Sequence, residues 1–134
     1  MQERASPYQF RRDMGSGIPA YRQIIDQILG GIASGALRPG DQLPTVRQLA
    51  VDLAINPNTV VRAYRELEIR GVLSTQQGIG TFITRESVRP DEAERQRQLN
   101  QLVAEFMARA GAAGFGAAEV VDRIQEFVEQ GRQS

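Results

Sequence analysis

The sequence has no cysteine, no histidine and no lysine, since all 16 of its basic residues are arginine. Without cysteine, neither disulfides nor thiolate metal ligands are available. Without histidine and lysine, the chain also lacks the side chains that most often act as general bases or amine nucleophiles. Only carboxylates, hydroxyls and arginines remain, and the carboxylates do not have the spacing of a calcium-binding loop. We therefore expect a protein that is not an enzyme and has no metal site and no cofactor.

Long apolar runs are also missing from the sequence. No stretch approaches the roughly 20 apolar residues that a membrane-spanning helix needs. Residues 1–17 lack the apolar segment of a secretory signal peptide. Together with the absence of cysteine, these features predict a cytoplasmic protein without a membrane partner.

The charges balance overall but are distributed unevenly. The chain carries 16 basic and 16 acidic residues, which gives a formal net charge of zero. Residues 1–18 carry +1, residues 19–85 carry +2 and residues 86–134 carry −3. The basic part is the one suited to nucleic acid. Because its excess of arginine is small, we expect any such binding to be specific, with limited non-specific affinity.

Residues 45–70 have the pattern of two short helices joined by a tight polar turn. Thr45 and Gln48 have the spacing of a capping box, which predicts that a helix begins at the next residue after Thr45. Asn56 is placed to cap the second helix, with Pro57 at its first position, where the missing N–H costs nothing. The inward face of the second helix is apolar, and its opposite face carries Asn58, Arg62 and Arg65. A helix-turn-helix with such an outer face is typical of DNA-binding proteins.

A preceding helix is predicted to support this pair. Pro19 opens it, apolar residues follow at helical spacing, and Gly35 ends it. Tyr21 is expected to pack in the core, although contact of its hydroxyl with a DNA backbone is the alternative. Pro39 and Gly40 then have the sequence of a type II turn.

Two β-rich runs follow the second helix of the pair and flank a glycine-bearing turn. They predict a β-hairpin, which we call the wing. We expect Leu73 and Phe82, with Ile83 as a further candidate, to pack against the helices. Gly78 and Gly80 lack side chains, so the wing tip is able to approach a DNA groove closely. For Gly80, a requirement of the turn alone is an equally good explanation.

Residues 1–18 are predicted to form a loosely held N-terminal arm. Tyr8 to Arg11 alternate in polarity, which is compatible with a short strand. Gly15 to Gly17 would form a flexible joint. Arg11 and Arg12 are expected to be solvated, with contact to a phosphate as the alternative.

The motifs LPTVRQLA, NPNTVVRAYRELE and GIGTF, together with the helix-closing Gly71, resemble the winged helix-turn-helix domain of GntR-family bacterial transcription regulators. The resemblance covers residues 19–85. The short C-terminal extension further resembles that of the YtrA-like subgroup. The resemblance implies a mainly α fold, in which a winged helix-turn-helix domain with a small β-hairpin wing is followed by a two-helix C-terminal hairpin.

The same resemblance implies which residues contact double-stranded DNA. In the family, the arginine of the LP-[ST]-x-R element, the start of the recognition helix and the wing tip supply the contacts. Pro57 and Val61 depart from the family, because relatives often have arginine at these two positions. Arg62 and Arg65 are added from their place on the outer face, and an ion pair between Arg62 and Glu66 is the alternative. The candidate DNA-binding residues are Arg47, Asn56, Pro57, Asn58, Thr59, Arg62, Arg65, Gln77 and Gly78.

Residues 86–134 are predicted to form a helical hairpin after a linker at Ser87–Pro90. Two amphipathic helices are separated by a turn at Gly111–Gly116. A two-helix hairpin cannot bury two apolar stripes by itself, so we expect a homodimer. Folding back onto the winged domain of the same chain is the alternative. The predicted dimerisation residues are Leu99, Leu102, Val103, Phe106, Met107, Val120, Val121, Ile124, Phe127 and Val128.

These features predict a sequence-specific transcription regulator, a repressor that binds an inverted-repeat operator as a homodimer. The alternative is a winged-helix module that binds proteins and has lost DNA affinity. A small-molecule effector is undecided. A shallow pocket near Phe106, Met107, Phe115 and Phe127 is conceivable, but these side chains are expected to lie in the dimer interface.

Overall fold

The computed structural model describes residues 8–84 and 91–133 and contains five helices and one two-stranded antiparallel sheet within them. Residue contacts divide the chain into two units, Met1–Glu86 together with Gln130–Ser134, and Ser87–Glu129. Every helix in the described residues is too short or too polar to span a bilayer. The predicted fold class, mainly α with a β-hairpin wing and two C-terminal helices, is confirmed. In chain order the elements are α1 (Ala20–Ser34), α2 (Val46–Leu53), α3 (Pro57–Ile69), β1 (Leu73–Gln76), β2 (Gly80–Ile83), α4 (Glu92–Ala112) and α5 (Ala117–Gln133).

Helix α3 is the centre of the first unit, because α1, α2 and β1 all pack against it. Its inward residues Val60, Ala63, Tyr64 and Leu67 are buried, as the helical spacing predicts. The Tyr64 hydroxyl donates a hydrogen bond to the Pro44 carbonyl at 2.8 Å, which ties α3 to the segment before α2. The other members of the buried core are Ile24, Ile25, Ile28, Leu37, Leu43, Leu49, Ala50, Leu73 and Ile83.

The helix boundaries follow the local signals of the sequence closely. Thr45 and Gln48 form both hydrogen bonds of the capping box, each at 3.0 Å. Gly71 follows the end of α3 with a φ of 81°, and Gly40 has a φ of 90° in the turn after Pro39. Pro19 differs from the prediction by one position. It is the N-cap of α1 rather than the first helical residue, and its carbonyl accepts the first backbone hydrogen bonds of the helix.

The wing is an antiparallel hairpin in which Leu73 pairs with Ile83 and Gln76 pairs with Gly80. Leu73 and Ile83 are both buried and belong to the core. The prediction was wrong for Phe82, which is half-buried and lies on the opposite face of the strand from Ile83. Its backbone forms an isolated antiparallel bridge with that of Gln42. Side chains alternate between the two faces of a strand, so a shift of one residue exchanges the inner and outer sets.

The arm is held firmly from Tyr8 onward, contrary to the prediction of a loosely held arm, and the short strand that its alternating polarity allows does not form there. The Gln27 side chain pairs with the backbone of Arg11 through two hydrogen bonds of 2.8 and 2.6 Å. The Gln23 side chain donates to the carbonyls of Ile18 and Asp13 at 2.8 and 2.9 Å. Two glutamine amides on α1 thus satisfy backbone groups that a strand partner would otherwise satisfy. Residues 1–7 of the arm lie outside the described residues.

In the second unit, α4 begins after Asp91, whose carboxylate accepts from the Glu94 N–H at 3.4 Å. The helix continues through Gly111 and Ala112, so the break before α5 comes later than the predicted start of the turn. The predicted linker Ser87–Pro90 lies outside the described residues. Seven of the predicted dimerisation residues are 46% to 62% exposed, and Met107, Val120 and Val128 are half-buried. The exposed seven are Leu99, Leu102, Val103, Phe106, Val121, Ile124 and Phe127.

Candidate nucleic-acid interface

The turn between α2 and α3 is short because one residue takes a left-handed conformation. Ala54 has φ 55° and ψ 48°, and it is the one described residue other than glycine with a positive φ. The Ile55 N–H donates to the Ala50 carbonyl at 3.0 Å, a backbone hydrogen bond that closes the end of α2. Asn56 follows directly. The first turn of α3 is therefore presented at the surface immediately beyond α2.

The N-terminus of α3 is capped by the Asn56 side chain. Its Oδ1 atom accepts from the Asn58 N–H at 2.8 Å, and its backbone carbonyl accepts from the Thr59 N–H at 2.9 Å. Pro57 has no N–H to satisfy. Asn56, Pro57 and Asn58 are exposed, and Thr59 is half-buried. The exposed amide groups at this helix end are of the kind that bind base edges or phosphates.

The outer face of α3 continues with the exposed arginines Arg62 and Arg65. Arg62 does not pair with Glu66. Glu66 instead forms an ion pair with Arg70 at 2.7 Å. In this pair the acid precedes the base along the helix, which is the more favourable order at a spacing of four residues. The guanidinium carbon of Arg62 lies 3.7 Å from the centre of the Tyr21 ring.

Arg47 is exposed in the first turn of α2. Within residues 8–84 and 91–133, neither Arg47, Arg62 nor Arg65 forms an ion pair with an acidic side chain. By contrast, Arg22 pairs with Asp26 at 3.6 Å. The three unpaired guanidinium groups keep their N–H donors for another partner.

The wing tip is exposed at Gln77, Gly78 and Ile79. Gly78 has a φ of 79°, and a Cβ atom there would meet no other described atom within 4 Å. Glycine at this position therefore suits the positive φ of the turn and leaves room for another molecule to approach the wing tip. Gly80 differs, because a Cβ atom there would collide with the Gln42 side chain, which donates to the Ile79 carbonyl at 3.1 Å. Close packing on Gln42 thus accounts for Gly80 without any contact to DNA.

The family of the chain is shown by comparison with known proteins. The family described as "Bacterial regulatory proteins, gntR family" matches residues 20–83. The HTH-type transcriptional repressor YtrA of Bacillus subtilis is 34% identical over 115 residues, which cover 86% of this chain and 88% of YtrA. The chain belongs to the GntR family. Its similarity to YtrA along most of both chains places it in the YtrA-like subgroup.

Solved structures of regulators share this fold. A transcriptional antiterminator from Listeria monocytogenes EGD-e is 28% identical, with a TM-score of 0.65 and coverage of 90% of each chain. The DNA-binding domain of AraR in complex with operator ORX1 is 27% identical, with a TM-score of 0.51, and the match covers 55% of this chain and 94% of that one. This GntR chain is accordingly a transcription regulator with a DNA-binding helix-turn-helix, in a family of regulators rather than enzymes.

The structure brings the predicted DNA-binding residues of α2 and α3 onto exposed surface, apart from the half-buried Thr59, and it shows two contacts near them that the sequence analysis did not predict. Tyr21 lies against Arg62, although α1 was assigned only a supporting role. Gln42 holds the wing tip through the Ile79 carbonyl. Neither contact has a local sequence signal, because each joins residues about 40 positions apart in the chain. The roles of the individual residues in DNA binding stay predictions.

The second unit contains a groove of about 560 Å³ between side chains of α4 and α5. Of the four residues named for a possible effector pocket, Phe106 and Phe115 line it, whereas Met107 and Phe127 do not. The remaining residues that line the groove are Arg109, Ala110, Ala113, Glu119, Val120, Arg123 and Ile124.

Within the described part of the chain, no group of three or more acidic, histidine or cysteine side chains is placed to hold a metal ion.

Proposed function

We propose that this GntR-type regulator is a repressor that binds an inverted-repeat operator as a homodimer. The observation that carries the proposal is the exposed outer face of α3, on which Asn58, Arg62 and Arg65 have no acidic partner among the described residues. An unpaired cationic surface beside a capped helix end suits the major groove of DNA. The name of YtrA as a repressor and the operator complex of AraR support the same proposal.

Each part of the surface has a different role in this proposal. Asn58 and Arg62 lie one helical turn apart, and amide and guanidinium groups are the side chains that recognise adenine and guanine by paired hydrogen bonds. Arg47 and Arg65 bind phosphates, which fixes the register of α3 on the duplex. Gln77 and Gly78 at the wing tip contact a neighbouring groove. Asn56 and Thr59 complete the surface at the first turn of α3, with Pro57 between them.

The second unit would form the dimer. Phe106, Ile124 and Phe127 are each at least 46% exposed, and exposed apolar patches of this kind usually mark an interface. A two-fold axis through α4 and α5 would make each apolar stripe part of a self-complementary surface. Two copies of α3 would then enter successive major grooves roughly 34 Å apart.

Selection of bound duplex from a random pool tests DNA binding directly. We expect the selected sequence to be an inverted repeat. Arg47→Ala and Arg62→Ala should each weaken binding to that duplex by about 1–3 kcal/mol, measured by fluorescence anisotropy at fixed salt. Arg70→Ala is the matched control, because it removes the same charge from the end of α3 but takes an arginine that already pairs with Glu66.

Equal losses for Arg70→Ala and Arg62→Ala would show that only net charge matters, which contradicts specific readout by α3. If no duplex is selected at low ionic strength, the alternative function, a winged-helix module that binds proteins, replaces the proposal.

The dimer is tested separately by sedimentation. We expect the wild-type protein to sediment as a dimer and Phe127→Glu to sediment as a monomer, because a charge buried in an apolar interface is strongly unfavourable. Glu129→Gln is a control on an exposed, charged position of the same helix. A monomeric wild-type protein at micromolar concentration would contradict the proposed assembly.

A further inference from the structure

The contact between Arg62 and Tyr21 joins α3, the helix proposed to bind DNA, to α1. The guanidinium carbon lies 3.7 Å from the ring centre, a separation that fits face-to-face stacking of two planar groups. Tyr21 is half-buried and packs against the hydrophobic core, so its ring has a fixed place. Arg62 itself is exposed.

Stacking on a ring leaves the hydrogen-bonding edge of an arginine unused. The five N–H donors lie in the guanidinium plane, and a ring stacked on that plane covers only one of its faces. An ion pair with Glu66 would have consumed some of these donors, but Glu66 pairs with Arg70. The ring therefore limits the rotamers of Arg62 without competing for the atoms that a base or phosphate would bind.

We propose that Tyr21 is a positioning residue for DNA recognition, which holds the Arg62 guanidinium ready to bind and thereby raises operator affinity. The proposal rests on the proposed function, since it requires that Arg62 contact the operator. It adds a residue of α1 to those that determine operator affinity, and this residue acts only through Arg62. Pre-ordering a long side chain in its bound form favours binding, because less conformational freedom is lost on association.

A double-mutant cycle on the selected duplex tests this inference. We expect Tyr21→Leu to weaken binding about two- to fivefold, the factor that corresponds to the usual strength of an exposed cation–π contact. Tyr21→Phe keeps the ring and should bind within about twofold of wild type. In an Arg62→Ala background, Tyr21→Leu should have no further effect, because the side chain that it positions is gone. A purely structural role would weaken binding equally in both backgrounds.

Tyr8→Leu is the matched control. It also removes a half-buried tyrosine packed on α1, but one whose hydroxyl bonds to the Gln27 carbonyl, six residues along the helix from Tyr21. We expect it to affect thermal stability and leave operator affinity unchanged. If Tyr21→Leu does not fold, Tyr21→Met takes its place in the cycle.

Two results would overturn the inference while the proposed function stands: wild-type affinity of Tyr21→Leu, or a loss that persists undiminished in the Arg62→Ala background. Failure of the wild-type protein to bind any duplex would instead overturn the proposed function, and this inference with it.

Discussion

Replacing Asn56 with alanine separates the structural role of this side chain from its proposed contact with DNA. Pro57 has no N–H, and the Thr59 N–H is already satisfied by the Asn56 backbone carbonyl at 2.9 Å. The Asn58 N–H depends on the Asn56 side chain, through a hydrogen bond of 2.8 Å. Loss of an N-cap side chain costs about 0.5–2 kcal/mol, and the exposure of this one lets water replace part of the bond. We expect Asn56→Ala to lower the free energy of unfolding by about 1 kcal/mol.

The assay is urea denaturation at one fixed protein concentration, because a dimer gains stability with concentration. Asn56→Ser and Asn56→Asp both keep an oxygen that caps the helix, so we expect the free energy of unfolding of each variant to lie within about 0.5 kcal/mol of the wild-type value. The two variants should differ in DNA binding. Asn56→Asp places a negative charge at the surface proposed to face phosphates, and it should weaken operator binding while Asn56→Ser keeps most of the affinity.

Two results would refute this reasoning at different points. Wild-type stability of Asn56→Ala would show that water replaces the cap fully, so that the hydrogen bond does not stabilise α3. Wild-type DNA affinity of Asn56→Asp would remove Asn56 from the DNA surface and leave it only its role as a cap.

Two further substitutions test contacts within the first unit. Tyr64→Phe removes the hydrogen bond to the Pro44 carbonyl and should lower the free energy of unfolding by about 1 kcal/mol in urea denaturation. Burial raises the pKa of the Tyr64 hydroxyl above its ordinary value. Its stabilising contribution should therefore be complete below about pH 10 and decline as the pH rises above that, and Tyr64→Phe should remove this part of the decline. Gly80→Ala adds a side chain at a φ of 150° and against Gln42, and calorimetry should show that the free energy of unfolding is lowered by about 1–3 kcal/mol. Adding Gln42→Ala should restore only part of this free energy, because the backbone strain stays. Full recovery, or no loss, would contradict that account.

The features that the sequence predicted correctly are decided by neighbouring residues. The capping box of Thr45 and Gln48 involves groups three positions apart, and the Asn56 cap acts two positions ahead. Gly71 ends α3 because a left-handed conformation is needed at that one position. Such signals depend little on the rest of the fold. They located α2, α3 and the wing to within about two residues.

The features that were missed depend on contacts between distant segments. The arm was predicted to be loose because its own sequence is polar and glycine-rich, but Gln23 and Gln27 of α1 bind its backbone. The inner residue of β2 is Ile83 rather than Phe82, because the pairing with β1 sets the register. For Arg62, the sequence offered Glu66 as a partner four positions away, yet Glu66 has a second arginine at the same distance on its other side. Helix polarity decides between the two.

The charge distribution explains why dimerisation and DNA binding should be linked. The winged part of one chain has an excess of only two arginines, and the C-terminal part carries −3. Each phosphate contact contributes about 0.9 to the slope of log affinity against log salt, so few contacts per chain mean weak binding by a single copy. Joining two copies makes the second binding event intramolecular, and the affinity gained in this way requires no additional charge. We therefore expect Phe127→Glu, which leaves every proposed DNA-binding residue in place, to weaken operator binding more than loss of any one arginine does. It should also roughly halve the salt slope, because only one half-site is bound at a time.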